Sequence, residues 1–301
     1  MTKLLRQPLP LGRSDFIALR HDGCIYVDKT RMIFNICRDS SKVFISRPRR
    51  FGKTLLVSTF ESLFRNGIRD FKGLAIETLW TDKTYKVVRL DFSEIKDYSS
   101  EADFLSKFYD QLLRKFRQAG FDYEEKNGLF MGQVSAWLSS LPPSSLVILI
   151  DEYDAPLTAS LDDLELFDRI RSAMSAFFQV LKSNEGCLRF FFMTGITKYR
   201  QTSIFSEFNF FDDISLNRAY GTLIGYTEEE IKNYFSYYLN EAKLQLELDE
   251  DEIVDQLRKN YDGFSFDQEA ATHVFCPWSV LNFFKYPQQG FKEGLSKYRF
   301  L

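Results

Sequence analysis

The sequence predicts an α/β fold in which helices flank a central parallel sheet, and three observations lead to this prediction. Residues 42–67 have the pattern of a short apolar strand, a tight basic loop and a helix. Residues 146–150 form an uninterrupted aliphatic run, as expected of a central strand that is covered on both faces. Around these segments, short apolar strands alternate with amphipathic helices, an order typical of parallel sheets.

Residues 1–41 are predicted to be a lead-in that packs on the core. Pro8, Pro10 and Gly12 mark an irregular start. A short helix-like segment opens at 14–16, and a helix is predicted from 28 to 37 because its apolar residues recur at helical spacing.

Residues 42–218 are predicted to be the α/β core. After the opening strand, the pattern predicts strands at 86–93, 146–150, 188–194 and 213–216 and helices at 55–67, 100–120, 129–141 and 164–183. Residues 219–301 are predicted to be a mostly helical lid or small second domain, with helices at 227–238, 249–261 and 278–284. Thr227 and Glu230 have the spacing of a capping box at the first of these.

The basic loop at 47–54 has the residues of a phosphate-binding loop. Gly52, Lys53 and Thr54 lie where the strand turns into the helix, so backbone N–H groups and the positive helix end face an incoming anion. Lys53 then reaches the β- and γ-phosphates of a nucleotide, and the Thr54 hydroxyl binds Mg²⁺. The candidate nucleotide-binding residues of this loop are Arg49, Arg50, Phe51, Gly52, Lys53 and Thr54.

The loop departs from the full motif at one position. The motif has a glycine five residues before Gly52, and this chain has Arg47 there. The turn must then be made by other means, and Pro48 can fix part of it. The alternative is a chance Gly-Lys-Thr at a helix start, with the arginines forming a solvated basic patch; the strand–loop–helix context favours phosphate binding.

The aliphatic strand at 146–150 is followed by Asp151 and Glu152. An aliphatic strand that ends in two acids, downstream of a Gly-Lys-Thr loop, is the Walker B pattern of P-loop NTPases. We expect Asp151 to be a Mg²⁺ ligand and Glu152 to be the catalytic base that orients and deprotonates the attacking water. The plainer interpretation is a strand that ends in a polar loop, but the two motifs together make coincidence a poor explanation.

The strand predicted at 188–194 ends in Thr194, which fits a polar residue that binds the γ-phosphate of a nucleotide beside the attacking water. A threonine at a strand end is also common without any such role. Lys198 and Arg200 follow on a polar loop, and either has the chemistry of a charge-stabilising finger. Ordinary surface charge is the favoured interpretation for both.

Composition narrows the class of protein further. A formal net charge of -3 over 301 residues gives no global electrostatic case for nucleic acid, although it does not exclude it. Four widely spaced cysteines and two histidines argue against a structural zinc site and suggest reduced thiols. The N-terminus has no signal-peptide pattern and no apolar run reaches membrane-spanning length. We therefore expect a cytoplasmic protein with no membrane partner.

Several motifs in this order resemble the bacterial AAA-ATPase-like family of P-loop ATPases. They are YVDKT at 26–30, SRPRRFGKT at 46–54, LDFS at 90–93, IDEYD at 150–154, TGI at 194–196, GYTEEE at 225–230 and YDGF at 261–264. The resemblance covers nearly the whole chain, and in that family too an arginine replaces the first loop glycine. It implies a P-loop fold of the additional-strand, catalytic-glutamate type with a helical C-terminal lid.

The same resemblance raises the question of a missing domain. Members of the family often carry a C-terminal nuclease-like domain, and this chain stops before one could fit. A natural short form and a truncated gene are both open, so nuclease activity is not expected here.

These observations lead to one main function and two alternatives. The main hypothesis is a Mg²⁺-dependent ATPase that acts as a conformational switch, with ATP and Mg²⁺ as its ligands and a homo-oligomer or another protein as a possible partner. The alternative is a nucleotide-sensing interaction module that hydrolyses little or nothing in isolation. A remnant that binds no nucleotide is disfavoured because Gly52-Lys53-Thr54 and Asp151-Glu152 are both intact.

Overall fold

The computed structural model describes residues 6–198, 211–261 and 263–292 of the chain. The described residues fold into two compact units. The loop unit comprises the described residues of Met1–Met32, Pro48–Thr59 and Ser215–Leu301, and the sheet unit comprises those of Ile33–Arg47 and Phe60–Ile214. The division at 42 and 219 that the sequence suggests stays a prediction.

The sheet unit contains one five-stranded parallel sheet. Its strands are β1 Lys42–Ser46, β2 Lys86–Asp91, β3 Leu146–Asp151, β4 Leu188–Gly195 and β5 Asp212–Asp213. Their order is β2-β3-β4-β1-β5, and every pairing is parallel. The predicted α/β fold with a central parallel sheet is confirmed. Because β4 lies between β1 and β3, the additional-strand order implied by the family resemblance is present.

Twelve helices are defined in the described part of the chain. They are α1 Phe16–His21, α2 Thr30–Asp39, α3 Lys53–Asn66, α4 Glu101–Gln118, α5 Phe130–Ser140, α6 Ala155–Ala159, α7 Leu164–Ser183, α8 Glu228–Tyr234, α9 Ser236–Leu246, α10 Glu250–Tyr261, α11 Pro277–Lys285 and α12 Pro287–Lys292. Side-chain caps explain several starts: Ser100 accepts from the N–H of Asp103 at α4, and Asp163 accepts from that of Leu166 at α7. The short helix α6 has no counterpart among the predicted elements.

Both faces of the sheet are covered by helices, as the aliphatic run of β3 requires. On one face, Phe108 of α4 and Phe177 of α7 belong to a single buried cluster with Ile148 of β3 and Phe191 of β4. On the other face, Phe60 of α3 lies 4.7 Å from Phe192 between ring centroids. Every residue of β3 is buried.

The loop unit has its own apolar core, built largely from helices α8, α9, α10 and α11. The mostly helical character predicted for this region is confirmed for its described residues. The capping box of Thr227 and Glu230 is present at α8. One predicted helix, at 227–238, is wrong: the chain leaves helical geometry at Phe235, which is fully buried and stacks on Phe284 at 5.3 Å. The break lets Phe235 reach the core, which the helical periodicity alone does not reveal.

The YVDKT motif also belongs to this unit, where its side chains make contacts that stabilise the local fold. The Asp28 carboxylate accepts the N–H and the hydroxyl of Thr30, which starts α2. Lys29 is buried and forms an ion pair with Glu230 of the capping box. Burial lowers the pKa of the Lys29 ammonium despite the attraction of Glu230.

Among the described residues, no helix is both long and apolar enough to cross a membrane.

Candidate functional site

The loop after β1 turns at two residues with left-handed backbone. Arg50 has a φ of 68° and Gly52 a φ of 100°. A side chain at Gly52 would be strained whatever space surrounds it, so the motif glycine is needed here for its backbone. Helix α3 begins at the next residue, and the Gly52 carbonyl accepts the N–H of Leu56 at 3.0 Å. The first N–H groups of α3 therefore lie at the end of the loop, as an anion site requires.

The Lys53 side chain spans this loop. Its side chain is only 5% exposed, and its Nζ donates to the carbonyl of Pro48 at 3.0 Å. The ammonium is thus held across the residues whose N–H groups would face a phosphate. Thr54, the next residue, is half-buried and carries the hydroxyl expected to bind Mg²⁺.

Two loop side chains pack against the segment before α11. The Phe51 ring is buried and lies 4.7 Å from Phe264 and 5.3 Å from Phe266 in edge-on contacts. The Arg50 guanidinium lies over Trp278 at 4.1 Å from the ring centroid, and Cys276 Sγ donates to the Arg50 carbonyl at 3.8 Å. Because the Phe51 side chain is engaged in packing, its N–H is the group it can offer a phosphate. The third candidate, Arg49, is exposed.

Asp267 fixes the segment that receives Phe51. Its carboxylate accepts the hydroxyl of Thr272 at 2.5 Å and the N–H groups of Glu269, Ala271 and Thr272 at 2.9–3.1 Å. These bonds favour the charged form and lower the pKa of Asp267. Sequence reasoning does not find this residue, because an isolated aspartate in a loop has no pattern to mark it.

Arg47 explains how the loop works without its first glycine. Its backbone stays paired with β4, donating to the carbonyl of Gly195 at 3.1 Å, and the left-handed residues come later at Arg50 and Gly52. Its guanidinium is buried and donates to the Ser46 carbonyl at 2.9 Å. Burial lowers the pKa of Arg47 to about 10. A side chain is therefore tolerated at position 47.

The Walker B acids lie at the carboxyl end of β3. Asp151 is the last residue of the strand, is buried, and is in register with Asp91 of β2. Its Oδ1 accepts the N–H of Glu152 at 3.1 Å. Glu152 is half-buried with a φ of 49°, a conformation that costs a residue of this type about 1–3 kcal/mol. Strain of this kind recurs at functional sites, which is consistent with the role predicted for Glu152.

Thr194 lies at the same edge of the sheet, near the end of β4. Ile150 of β3 is in register with Met193 of β4. Asp151 and Thr194 are the next residues along these two adjacent strands. Thr194 is fully buried, and within the described residues its Oγ1 has no hydrogen-bond partner. A buried hydroxyl of this kind suits a ligand that brings its own polar atoms. Carboxylate and hydroxyl oxygens are also the hard donors that Mg²⁺ prefers, so Asp151 of the sheet unit and Thr54 of the loop unit each have the chemistry of a Mg²⁺ ligand.

The polar loop after β4 is described only in part. Lys198 forms an ion pair with Asp213 of β5. Arg200, the second finger candidate, lies outside the described residues.

Comparisons with known proteins add to this geometry. The model of the AAA-ATPase-like family, described as a predicted AAA-ATPase, matches residues 10–205. An uncharacterized protein in the vnfD 5′ region of Azotobacter chroococcum mcd 1 is 30% identical over 285 residues, which are 93% of this chain and 52% of that protein. The chain thus spans about half the length of this curated relative. Among solved structures, it is similar to the Walker-type ATPase PABY2304 of Pyrococcus abyssi with a TM-score of 0.45 and 12% identity, covering 97% of this chain and 73% of that one.

Proposed function

This chain belongs to the AAA-ATPase-like family of predicted AAA-ATPases, and we propose that it binds ATP at the 48–54 loop. The protein then hydrolyses ATP in a Mg²⁺-dependent reaction and acts as a conformational switch. The main support is the geometry of the loop. The left-handed Gly52 leads directly into the first N–H groups of α3, and the buried Lys53 ammonium is held across the loop by the Pro48 carbonyl. N–H groups at a helix start and a buried ammonium are the groups that bind the phosphates of a nucleotide.

Each candidate residue has a proposed role in the reaction. Lys53 and the loop N–H groups hold the β- and γ-phosphates, while Thr54 and Asp151 hold Mg²⁺. Bound Mg²⁺ would neutralise the negative charge that develops on the phosphate oxygens. Glu152 orients the attacking water and takes its proton. The Thr194 hydroxyl binds the γ-phosphate.

The other loop residues contribute in a narrower way. Phe51 and Arg50 offer their backbone N–H groups, because their side chains contact the 264–278 segment. Arg49 is exposed and adds charge next to the loop. Cytoplasmic location and a homo-oligomeric or other protein partner stay predictions.

Calorimetry with ATP, with and without Mg²⁺, tests the binding site. We expect Lys53→Ala to weaken ATP binding roughly 10- to 150-fold, since a hydrogen bond from a charged group contributes about 1.5–3 kcal/mol. Lys42→Ala is the matched control: it removes a partly buried lysine of β1 whose partner is Glu185, and ATP affinity should not change. Equal ATP affinity in wild type and Lys53→Ala would contradict the proposal.

Phosphate release on the same samples tests hydrolysis. We expect Glu152→Gln to keep Mg²⁺-dependent ATP binding and to abolish phosphate release, because the amide cannot take a proton from water. Mg²⁺-dependent binding without phosphate release in the wild type would instead indicate a nucleotide-sensing module.

A further inference from the structure

The two residues that follow the Walker B acids contact the chain beyond Thr194. Asp154 is 1% exposed, and its Oδ2 accepts the N–H of Ile196 at 2.9 Å and that of Thr197 at 2.7 Å. A buried carboxylate is costly unless it is paired or accepts hydrogen bonds, and here it accepts two from consecutive peptides. The backbone just after β4 is therefore held by the Asp154 side chain.

Tyr153 holds the same segment from two further points. Its N–H donates to the Thr194 carbonyl at 3.0 Å, and its hydroxyl donates to the Thr197 carbonyl at 2.8 Å. The residue is fully buried. Four hydrogen bonds from residues 153 and 154 thus reach residues 194–197.

Gly195 shows how close this contact is. A Cβ added there would lie 2.6 Å from Asp154 Oδ1 and 2.7 Å from two ring carbons of Tyr153. The backbone angles of Gly195 are not left-handed, so only the space taken by these two side chains requires a glycine.

We propose that Asp154 is a positioning residue for ATP hydrolysis, which acts by fixing the strand end that carries Thr194. This rests on the proposed function. Asp151, the proposed metal ligand, and Glu152, the proposed base, lie in the same short segment as Asp154. This one segment therefore also holds the strand end that carries Thr194. Fixed geometry among reacting groups is worth much in catalysis, since a misplacement of about 1 Å can lower a rate roughly 100-fold.

Steady-state hydrolysis by Asp154→Ala and Asp154→Asn tests this role. Alanine removes the acceptor of both N–H groups, and we expect kcat to fall about 10- to 100-fold with KM for ATP within about 3-fold of wild type. Asparagine retains a carbonyl oxygen that can accept both bonds, and it should recover most of the lost kcat. A residue that only stabilises the fold would not separate kcat from KM in folded protein, nor show this rescue.

Tyr153→Phe keeps the proposal testable if Asp154→Ala does not fold. It removes the hydroxyl that donates to Thr197 and keeps the buried ring, so kcat should fall about 3- to 10-fold with KM unchanged, in line with the loss of one hydrogen bond. Tyr98→Phe is its matched control, because the Tyr98 hydroxyl donates to a backbone carbonyl of α6, that of Pro156, at 2.6 Å. That variant should turn over ATP at the wild-type rate.

The outcomes separate this inference from the function on which it rests. A wild-type kcat in Tyr153→Phe together with a wild-type kcat in folded Asp154→Ala overturns the positioning role and leaves the ATPase intact. Equal losses of kcat in Tyr153→Phe and Tyr98→Phe also overturn it, because the effect would then be general. The absence of ATP hydrolysis by the wild type overturns the hydrolysis itself.

Discussion

The 48–54 loop and the end of β4 that carries Thr194 are held by different forces. In the loop unit, Phe51 and Arg50 are held by aromatic rings from a segment more than 200 residues later in the chain. In the sheet unit, the end of β4 is held by hydrogen bonds from Tyr153 and Asp154. Apolar packing is non-directional and scales with the area buried, whereas hydrogen bonds depend on direction.

This difference predicts two kinds of mutational effect. Loss of packing around the loop should lower stability and ATP affinity together, because the loop N–H groups bind well only while the loop is ordered. Loss of hydrogen bonds at the strand ends should lower turnover at nearly constant ATP affinity, because the groups that align the water are displaced.

The largest effect should come from Phe51→Ala. Truncation of a buried phenylalanine typically costs about 3–5 kcal/mol of unfolding free energy, and we expect ATP affinity to fall with it. Hydrogen exchange should report the loss, with faster exchange at 48–59 and 264–278 than in wild type.

Phe116→Ala is the matched control for Phe51→Ala. It removes a fully buried phenylalanine from the core of the sheet unit, where Phe116 contacts Trp137 and Phe177. Faster exchange should then appear in α4 and α5. Unchanged exchange at 264–278 in Phe51→Ala would show that the aromatic contacts do not hold the loop.

A smaller effect on stability should come from Gly195→Ala. The new methyl group meets Asp154 and Tyr153, which hydrogen bonds hold in place, and overpacking of this kind costs about 1–3 kcal/mol. We expect kcat for ATP hydrolysis to fall while the Kd of ATP stays near the wild-type value. Chemical denaturation measures the loss of stability, calorimetry measures the Kd of ATP, and phosphate release measures kcat.

Gly132→Ala gives the opposite sign and serves as the control for that substitution. Gly132 lies in α5 with nothing within 4 Å of an added Cβ. Replacement of a helical glycine by alanine should therefore stabilise the protein by about 0.4–1 kcal/mol. A destabilisation by Gly132→Ala equal to that of Gly195→Ala would remove the steric explanation.

The sheet and the motif positions could be predicted from sequence because their signals are local. The aliphatic run of β3, the Gly-Lys-Thr at the start of α3 and the capping box of α8 each fall within a few consecutive residues. Four of the five predicted strands and most predicted helices therefore match the structure. The last strand is wrong in its bounds, because the sequence predicts it at 213–216 and it lies at Asp212–Asp213. The roles assigned to Lys53, Asp151 and Glu152 stay predictions.

The supporting residues could not be predicted, because each acts on backbone that is distant in sequence or has no pattern. Asp154 binds N–H groups 42 and 43 residues away. Asp267 accepts hydrogen bonds from nearby N–H groups and so fixes its own segment. That segment includes Phe264 and Phe266, which pack against the distant Phe51. The break at Phe235 likewise follows from a ring contact with Phe284. Side-chain periodicity records which face is buried, and it does not record which peptide a buried carboxylate reaches.

The smallest effect should come from the contact between Arg50 and Trp278. Arg50→Ala removes an interaction of about 0.5–1 kcal/mol and keeps the left-handed backbone, so it should destabilise by about that amount. Arg50→Gly loses the same interaction but relieves the backbone strain, worth about 1 kcal/mol, and should leave stability nearly unchanged.

A double-mutant cycle with Trp278→Leu isolates this contact, with the coupling energy measured by chemical denaturation. We expect a coupling of about 0.5–1 kcal/mol and little change of ATP affinity in Arg50→Ala at a temperature where every variant is folded. The sequence makes Arg50 a candidate ATP-binding residue. A drop in ATP affinity of about 10-fold or more in Arg50→Ala, with no coupling to Trp278, would favour that assignment, because it would mean that the guanidinium leaves the ring when phosphate binds.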